Sequence, residues 1–228
     1  MKTIGLIGGM SWESTAEYYR IINEEVRQRL GGLHSSKCIL YSVDFDEIEK
    51  CQAENRWDEA GDILASAAEN LERAGADFII ICTNTMHKVI DRIMARTCLP
   101  IVHIADVTAG IIKKHGIRKV GLLGTKYTME QDFYKDQIET HQLEVLVPDL
   151  GDREKINSTI FEELCLGVIQ EGSREYFKKV IERLITEGAG IILGCTEIGF
   201  LIKQEDIDIP LFDTTAIHAK GAVEMALK

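Results

Sequence analysis

Two apolar runs in this 228-residue chain end on the same dipeptide. FIII (78–81) enters Cys82-Thr83-Asn84-Thr85, and GIIL (190–193) passes Gly194 into Cys195-Thr196-Glu197. One cysteine closing a hydrophobic strand reads as a buried, inert residue. Here the surroundings repeat with it. IGLIGGMSWESTAEYY (4–19) is echoed by VGLLGTKYTMEQDFY (120–134), ERAGADFIIICTNT (72–85) by ITEGAGIILGCTEI (185–198), and LPIVHIAD (99–106) by IPLFDTTA (209–216). These ordered matches, with the two cysteines 113 residues apart (195 − 82), point to an internal duplication. Equivalent thiols in two facing lobes would look into one cleft from opposite sides. That arrangement suits inversion of a carbon stereocentre: one thiolate removes a proton from one face while the other thiol delivers one to the opposite face. A helix starting after each cysteine is expected to lower its pKa, and donors around a substrate carboxylate would stabilise the carbanion. Such chemistry requires no cofactor, and no lysine-bearing motif argues for pyridoxal phosphate.

The elements that must position these thiols alternate between strand and helix. TIGLI (3–7), CILYSV (38–43), FIII (78–81) and IVH (101–103) read as strands, as do KVGLL (119–123), EVLV (144–147), GIIL (190–193) and PLF (210–212). Helices are expected over 14–30, 57–73, 86–95, 128–140, 153–167 and 173–186, with a last one running to Lys228. Ser14 with Glu17, and Thr128 with Gln131, have capping-box spacing. Such alternation implies parallel strands covered by helices. A single (β/α)8 barrel or two doubly wound lobes would fit, and the internal echo favours the lobes. The expected fold is α/β, two similar lobes with a four-stranded parallel sheet each, related by a pseudo-twofold. The first lobe is drawn at residues 1–101 plus 210–228, the second at 102–209.

In open parallel sheets the site lies at the carboxyl ends of the strands. The loops expected there are GGMSWES (8–14), CTNT (82–85), GTKYT (124–128) and GCTE (194–197). Each precedes a helix start, where unpaired N–H groups favour an anion. Thr83, Asn84, Thr85, Thr125 and Thr196 add short donors. The glycine loop lacks both the G-x-G-x-x-G spacing and a P-loop lysine, which argues against a nucleotide. Glu197 either orients the Cys195 thiol or simply benefits from a helix dipole. Trp12 reads equally as a lid or as core packing; His87, His103 and His218 fall in or near the expected site loops, and His87, five residues after Cys82, reads as a site neighbour one turn along its helix or, more simply, as a helix-capping or surface residue.

The net charge of −11 disfavours nucleic acid. No apolar run approaches the roughly 20 residues of a membrane span. The six cysteines show neither C-x-x-C nor zinc-finger spacing, so no metal is expected. The opening MKTIGLIGGMSWES lacks a signal-peptide pattern. Reduced thiols in the cytoplasm are the resulting expectation.

Taken together, GLIGGMSWEST, CTNTMHK, LLGT and ILGCTEIG resemble the aspartate/glutamate racemase superfamily, and within it the aspartate racemase branch with its broad-specificity members. The resemblance spans essentially the whole chain. It implies a cofactor-independent amino-acid racemase, usually a homodimer, with the site between two four-stranded lobes. It makes Cys82 and Cys195 the catalytic bases, Thr83, Asn84, Thr85 and Thr196 donors near the α-carboxylate, and Met10 a pocket-lining residue. The chain departs from the aspartate-specific pattern, which has an Arg after the second strand and a Lys near 160–170. SVDFDEIEKCQ (42–52) has no Arg, and Cys165 falls about where the Lys would be. Gln52 and Cys165 are thus expected at the side-chain end of a substrate that is neutral as well as acidic. Other readings are a superfamily relative such as a maleate cis-trans isomerase or a malonate decarboxylase, and a non-catalytic binding protein for a small carboxylate.

Overall fold

The computed structural model describes residues 1–185 and 189–228. Its chain divides into two compact units, Met1–Ile104 with His218–Lys228, and Ala105–Ile217. In the first, β1 (Ile4–Gly8) leads to α1 (Trp12–Leu30), β2 (Cys38–Ser42), α2 (Phe45–Ala53), α3 (Trp57–Arg73) and β3 (Phe78–Ile81). A 3-10 turn over Thr85–Val89 continues into α4 (Ile90–Met94), followed by β4 (Ile101–Val102). The sheet is parallel, in the order β2-β1-β3-β4. Every residue of β1 and β3 is buried, as expected of central parallel strands covered on both faces. β2 is an edge strand and is largely exposed. On α3, Ala60, Leu64, Ala67, Ala68 and Leu71 form one buried stripe at helical spacing and pack with Ile79, Ile81 and Ile93.

The second unit begins within α5 (Ile104–Lys114) and continues through β5 (Lys119–Gly124), α6 (Lys126–Glu130), α7 (Asp132–Glu139), β6 (Glu144–Leu146) and α8 (Leu150–Glu162). A 3-10 turn (Leu164–Leu166) precedes α9 (Glu171–Leu184). Then come β7 (Gly190–Gly194), α10 (Ile198–Leu201), a 3-10 turn (Gln204–Asp206), β8 (Leu211–Asp213) and α11 (Thr214–Leu227). Its sheet, also parallel, runs β6-β5-β7-β8 and so repeats the order of the first. Its core gathers Leu123, Ile156, Phe177, Ile181, Leu193 and Leu201.

Several elements differ from the sequence reading. The capping box expected at Ser14 and Glu17 is displaced: Ser11 is the N-cap, accepting from the Ser14 N–H at 3.3 Å. The same shift occurs in the second unit, where the Thr125 hydroxyl accepts from the Thr128 N–H at 3.3 Å. Both helices therefore start earlier than expected, and the second breaks at Gln131 into α6 and α7. The helix expected over 86–95 is a 3-10 turn followed by a short α-helix. The helices α2 and α5 were not anticipated. The boundary expected at 209/210 moves: β8 pairs with β7 through Ile191–Leu211 and Leu193–Asp213, so residues up to 213 belong to the second sheet. Only from His218 onward does α11 belong to the first unit, where the Lys2 N–H reaches the Ala226 carbonyl at 2.8 Å.

Candidate active site

Each cysteine follows directly on the last residue of the strand third in its sheet order: Cys82 after β3, Cys195 after β7. Cys82 is completely buried, its N–H donating to the Ile7 carbonyl across the neighbouring strand at 2.9 Å. Its register sets the 82–85 loop beside the loop that leaves β1. That neighbouring loop is tightly braced. Thr15 Oγ1 accepts from the Gly9 N–H at 2.8 Å and donates to the Ser11 carbonyl at 2.8 Å. The Gly9 and Ser14 amides are thus used internally and are not the anion donors expected of them. Gly9 sits at φ +94°, and a Cβ there would lie 2.2 Å from the Val43 carbonyl oxygen, so only glycine fits. Met10, which follows it, is buried in the first unit's core.

Gln52 is buried on α2, and its Nε2 lies 3.2 Å from Met86 Sδ, against the turn that carries Thr85. Lys50, two residues earlier, is exposed and pairs with Asp46 at 2.6 Å. Thr83, Asn84 and Thr85 are all buried. His87 is buried as well, which removes the surface role, while its capping role is to α5: the Ile104 N–H donates to Nε2 at 3.3 Å. Trp12 is not core packing. It is 68 % exposed and lines a groove of about 490 Å³ with Leu6, Ala16, Tyr19 and Leu40.

In the second unit the Cys195 thiol donates to Glu197 Oε2 at 2.9 Å, and the Thr196 hydroxyl donates to the same oxygen at 2.8 Å. All three residues are buried. Glu197 therefore orients the thiol through a direct contact. Gly124 and Gly194 face each other in register, which places the loop carrying Thr125 next to the one carrying Cys195. A Cβ on Gly124 would lie 2.8 Å from the Gly194 carbonyl, so this close approach depends on glycine. The Thr125 hydroxyl is engaged in capping α6 and lies 3.2 Å from Thr128 Oγ1. Cys165, half-buried in the turn after α8, packs against the core cluster that contains Cys195.

Met10, Cys82, Thr83, Asn84 and Thr85 lie on the strand-end loops of the first unit and Thr125, Cys195 and Thr196 on those of the second, whereas Gln52 sits on α2 and Cys165 in the turn after α8. What the sequence reading missed is the bracing by Ser11 and Thr15 and the contacts that join His87, His103 and His218. Both thiols also differ electrostatically from expectation. Burial pushes the Cys82 thiol well up from its ordinary pKa. Burial, and then the charge of Glu197, does the same to Cys195. The elements that follow them are a 3-10 turn and a four-residue helix, too short to supply the dipole that would offset desolvation. Both thiols are protonated at neutral pH in the free protein.

The profile of the Asp/Glu/hydantoin racemases matches residues 7–222. The chain belongs to this family. Racemases are isomerases, and family membership supports an amino-acid racemase. The structure is similar to that of a candidate Asp/Glu racemase from Yersinia pestis, at TM-score 0.92 and 56 % identity with all of both chains covered. It is also similar to an aspartate racemase homologue, PH1733, from Pyrococcus horikoshii, at 0.85 and 39 %, again over all of both chains. By sequence the chain is 24 % identical to the broad-specificity amino-acid racemase RacX of Bacillus subtilis, over 98 % of each. The two-sheet fold recurs in the glutamate racemase of Aquifex pyrophilus, at TM-score 0.62 and 19 % identity, covering 99 % of this chain and 84 % of that one. No described helix is long and apolar enough to cross a membrane.

Proposed function

We propose that this racemase-family chain inverts amino acids at Cα without a cofactor, using Cys82 and Cys195 as the two acid–base groups. The observation that carries the reading is the matched placement of the thiols, each the first residue beyond the third-position strand of its sheet. The Cys195 proton moves along its existing hydrogen bond to Glu197, the thiolate takes the Cα proton from one face, and Cys82 delivers its own proton to the other, which leaves Cys82 as the thiolate and Glu197 protonated. The opposite enantiomer is taken by that form and retraces the steps, with Cys82 the base, Cys195 the acid and Glu197 returning its proton to Cys195; exchange with solvent interconverts the two forms of the free protein. The substrate ammonium supplies the positive charge that draws down a thiol pKa otherwise held high by burial. Asn84, with Thr83 and Thr85, donates to the α-carboxylate, where carbanion charge accumulates, while the Thr196 hydroxyl stays on Glu197.

The substrate class follows from Gln52 and Cys165. Gln52 meets a thioether, Cys165 brings a thiol rather than an ammonium or guanidinium, and the nearby Lys50 is held outward by Asp46. A site that demanded a distal carboxylate would match it with a cation. Neutral and polar amino acids of moderate size are therefore processed alongside aspartate and glutamate. The proposed setting is the cytoplasm, consistent with all six cysteines being free. The assembly is a homodimer through the apolar groove between α1 and the edge strand β2, where Trp12 and Tyr19 are exposed. Trp12→Glu would yield a monomer in sedimentation analysis.

The test is a panel of L- and D-amino acids without added cofactor, followed by chiral chromatography and by α-deuteration in D₂O. No inversion and no exchange for any member would reject the racemase reading. A kcat/KM for aspartate more than about 100-fold above every neutral substrate, roughly 2.7 kcal/mol, would reject the substrate assignment alone.

A further inference from the structure

The first unit contains a histidine network, His87 and His218 buried and His103 half-buried, that the proton-transfer scheme does not use. His87, His103 and His218 come together from the Cys82 loop, the β4–α5 junction and α11. The ring of His87 lies 4.6 Å from that of His103 and 6.0 Å from that of His218. Hydrogen bonds fix two of the tautomers. Nε2 of His87 accepts from the Ile104 N–H at 3.3 Å, so its proton sits on Nδ1, which donates to the Thr83 carbonyl at 2.9 Å. His218 is the opposite tautomer. Its Nε2–H donates to the Val102 carbonyl at 2.9 Å, and its Nδ1 accepts from the Tyr18 hydroxyl at 2.9 Å. Residues 102–104 are thus gripped by one histidine at Val102 and another at Ile104, and His87 carries that anchorage to the residue next to Cys82.

We propose that His87 is a positioning residue for the Cys82 thiol: in its neutral Nδ1–H form it holds the Thr83 carbonyl, and thereby the 82–85 loop, in register for proton transfer. The inference rests on the two-thiol reading above. It assigns His87 no contact with the substrate. The titratable groups that face it are His103 and His218, with Tyr18 one hydrogen bond further on. Burial, reinforced by the two neighbouring imidazoles, keeps His87 well below its ordinary pKa and therefore uncharged at neutral pH. A protonated His87 would need its Nε2 to donate, whereas the Ile104 amide requires it to accept.

The experiment separates the two nitrogens. In His87→Asn the side-chain amide takes the place of Nδ1–H and keeps the grip on Thr83. In His87→Gln an oxygen takes the place of Nε2 and keeps the Ile104 bond, but nothing reaches Thr83. Loop misplacement on the scale of 1 Å costs about 100-fold. The expected result is a kcat loss of about 100-fold in His87→Gln with little change in KM, and about 10-fold or less in His87→Asn. The decisive readout is the primary isotope effect with α-deuterated substrate of each hand. In His87→Gln it rises for the enantiomer deprotonated by Cys82 and falls for the one deprotonated by Cys195, because only one of the two transition states is raised. Effects that stay equal to the native pair, or that move together, overturn the proposal while leaving the racemase reading intact. Absence of α-exchange in the native protein would instead sink that reading. Should His87→Gln not fold, the same split, smaller and of the same sign, is required of His87→Asn.

Discussion

The buried histidines make the protein acid-sensitive, and His218 allows the size to be worked out. Its pKa falls from 6.5 to about 4, chiefly because burial disfavours the imidazolium. Between those values the unfolded chain binds a proton that the folded chain does not. Stability is therefore complete above about pH 6.5 and declines as the pH drops toward 4. At about 1.36 kcal/mol per unit, the 2.5-unit gap corresponds to about 3 kcal/mol in full, of which about 2.5 kcal/mol is lost by pH 4.5. His87 contributes in the same direction. The perturbation is His218→Gln, whose amide nitrogen keeps a donor for the Val102 carbonyl. The assay is urea unfolding followed by circular dichroism at pH 7.5 and at pH 4.5. Titrating carboxylates are common to both proteins and cancel in the comparison. At pH 7.5 the variant is less stable by about 1 kcal/mol, the scale of one imperfect hydrogen bond. At pH 4.5 the order reverses, because the native protein has lost about 2.5 kcal/mol that the variant keeps. A stability difference that stays constant within about 0.5 kcal/mol at both pH values would refute the neutral, desolvated state of His218.

Cys82→Ser and Cys195→Ser each lose racemisation by about 100-fold or more, measured by chiral chromatography, since a serine hydroxyl is too weak an acid to exchange roles. Glu197→Gln keeps an acceptor for the Cys195 thiol but cannot take its proton. Its kcat/KM falls by about 10- to 100-fold equally for the two enantiomers, and the primary isotope effect rises for the one deprotonated by Cys195. In the free protein at pH 7, iodoacetamide labels exposed Cys98 well before Cys82 and Cys195, as peptide mass spectrometry would show, because burial holds both site thiols protonated. Gly9→Ala is destabilised by at least about 1–3 kcal/mol in the same urea assay, since its Cβ would meet the Val43 carbonyl at 2.2 Å.

The strand FIII and the helix over 57–73 were legible to the residue, because a continuous apolar run and a clean helical stripe each carry their own period. Helix α5 was not. Its sequence, IADVTAGIIKK, mixes β-branched residues and glycine and has weak intrinsic preference for helix. The nine-residue α2 follows its strand after two residues, leaving little room for a boundary signal beyond the Asp44 cap. The cap positions slipped by three residues in both units because Ser11 and Ser14, like Thr125 and Thr128, are both plausible caps by residue type. Only the backbone geometry distinguishes them. The Cys-Thr loops and the residues beside them were readable from duplication. The histidine network was not, since positions 87, 103 and 218 share no period and meet only through β-strand order.

The thiols occupy equivalent positions, but their neighbours two residues on are not equivalent: Asn84 follows Cys82 and Glu197 follows Cys195. Mirror-image amino acids have identical free energy in water, so any racemase must have equal kcat/KM for the two hands, whatever its asymmetry. An amide beside one thiol and a carboxylate beside the other can therefore never bias the final mixture. The inequality surfaces only under saturation, where kcat and KM for the two enantiomers differ by a common factor. A duplicated chain whose halves have diverged in this way is free to favour, in flux, whichever enantiomer accumulates, while its end point stays racemic.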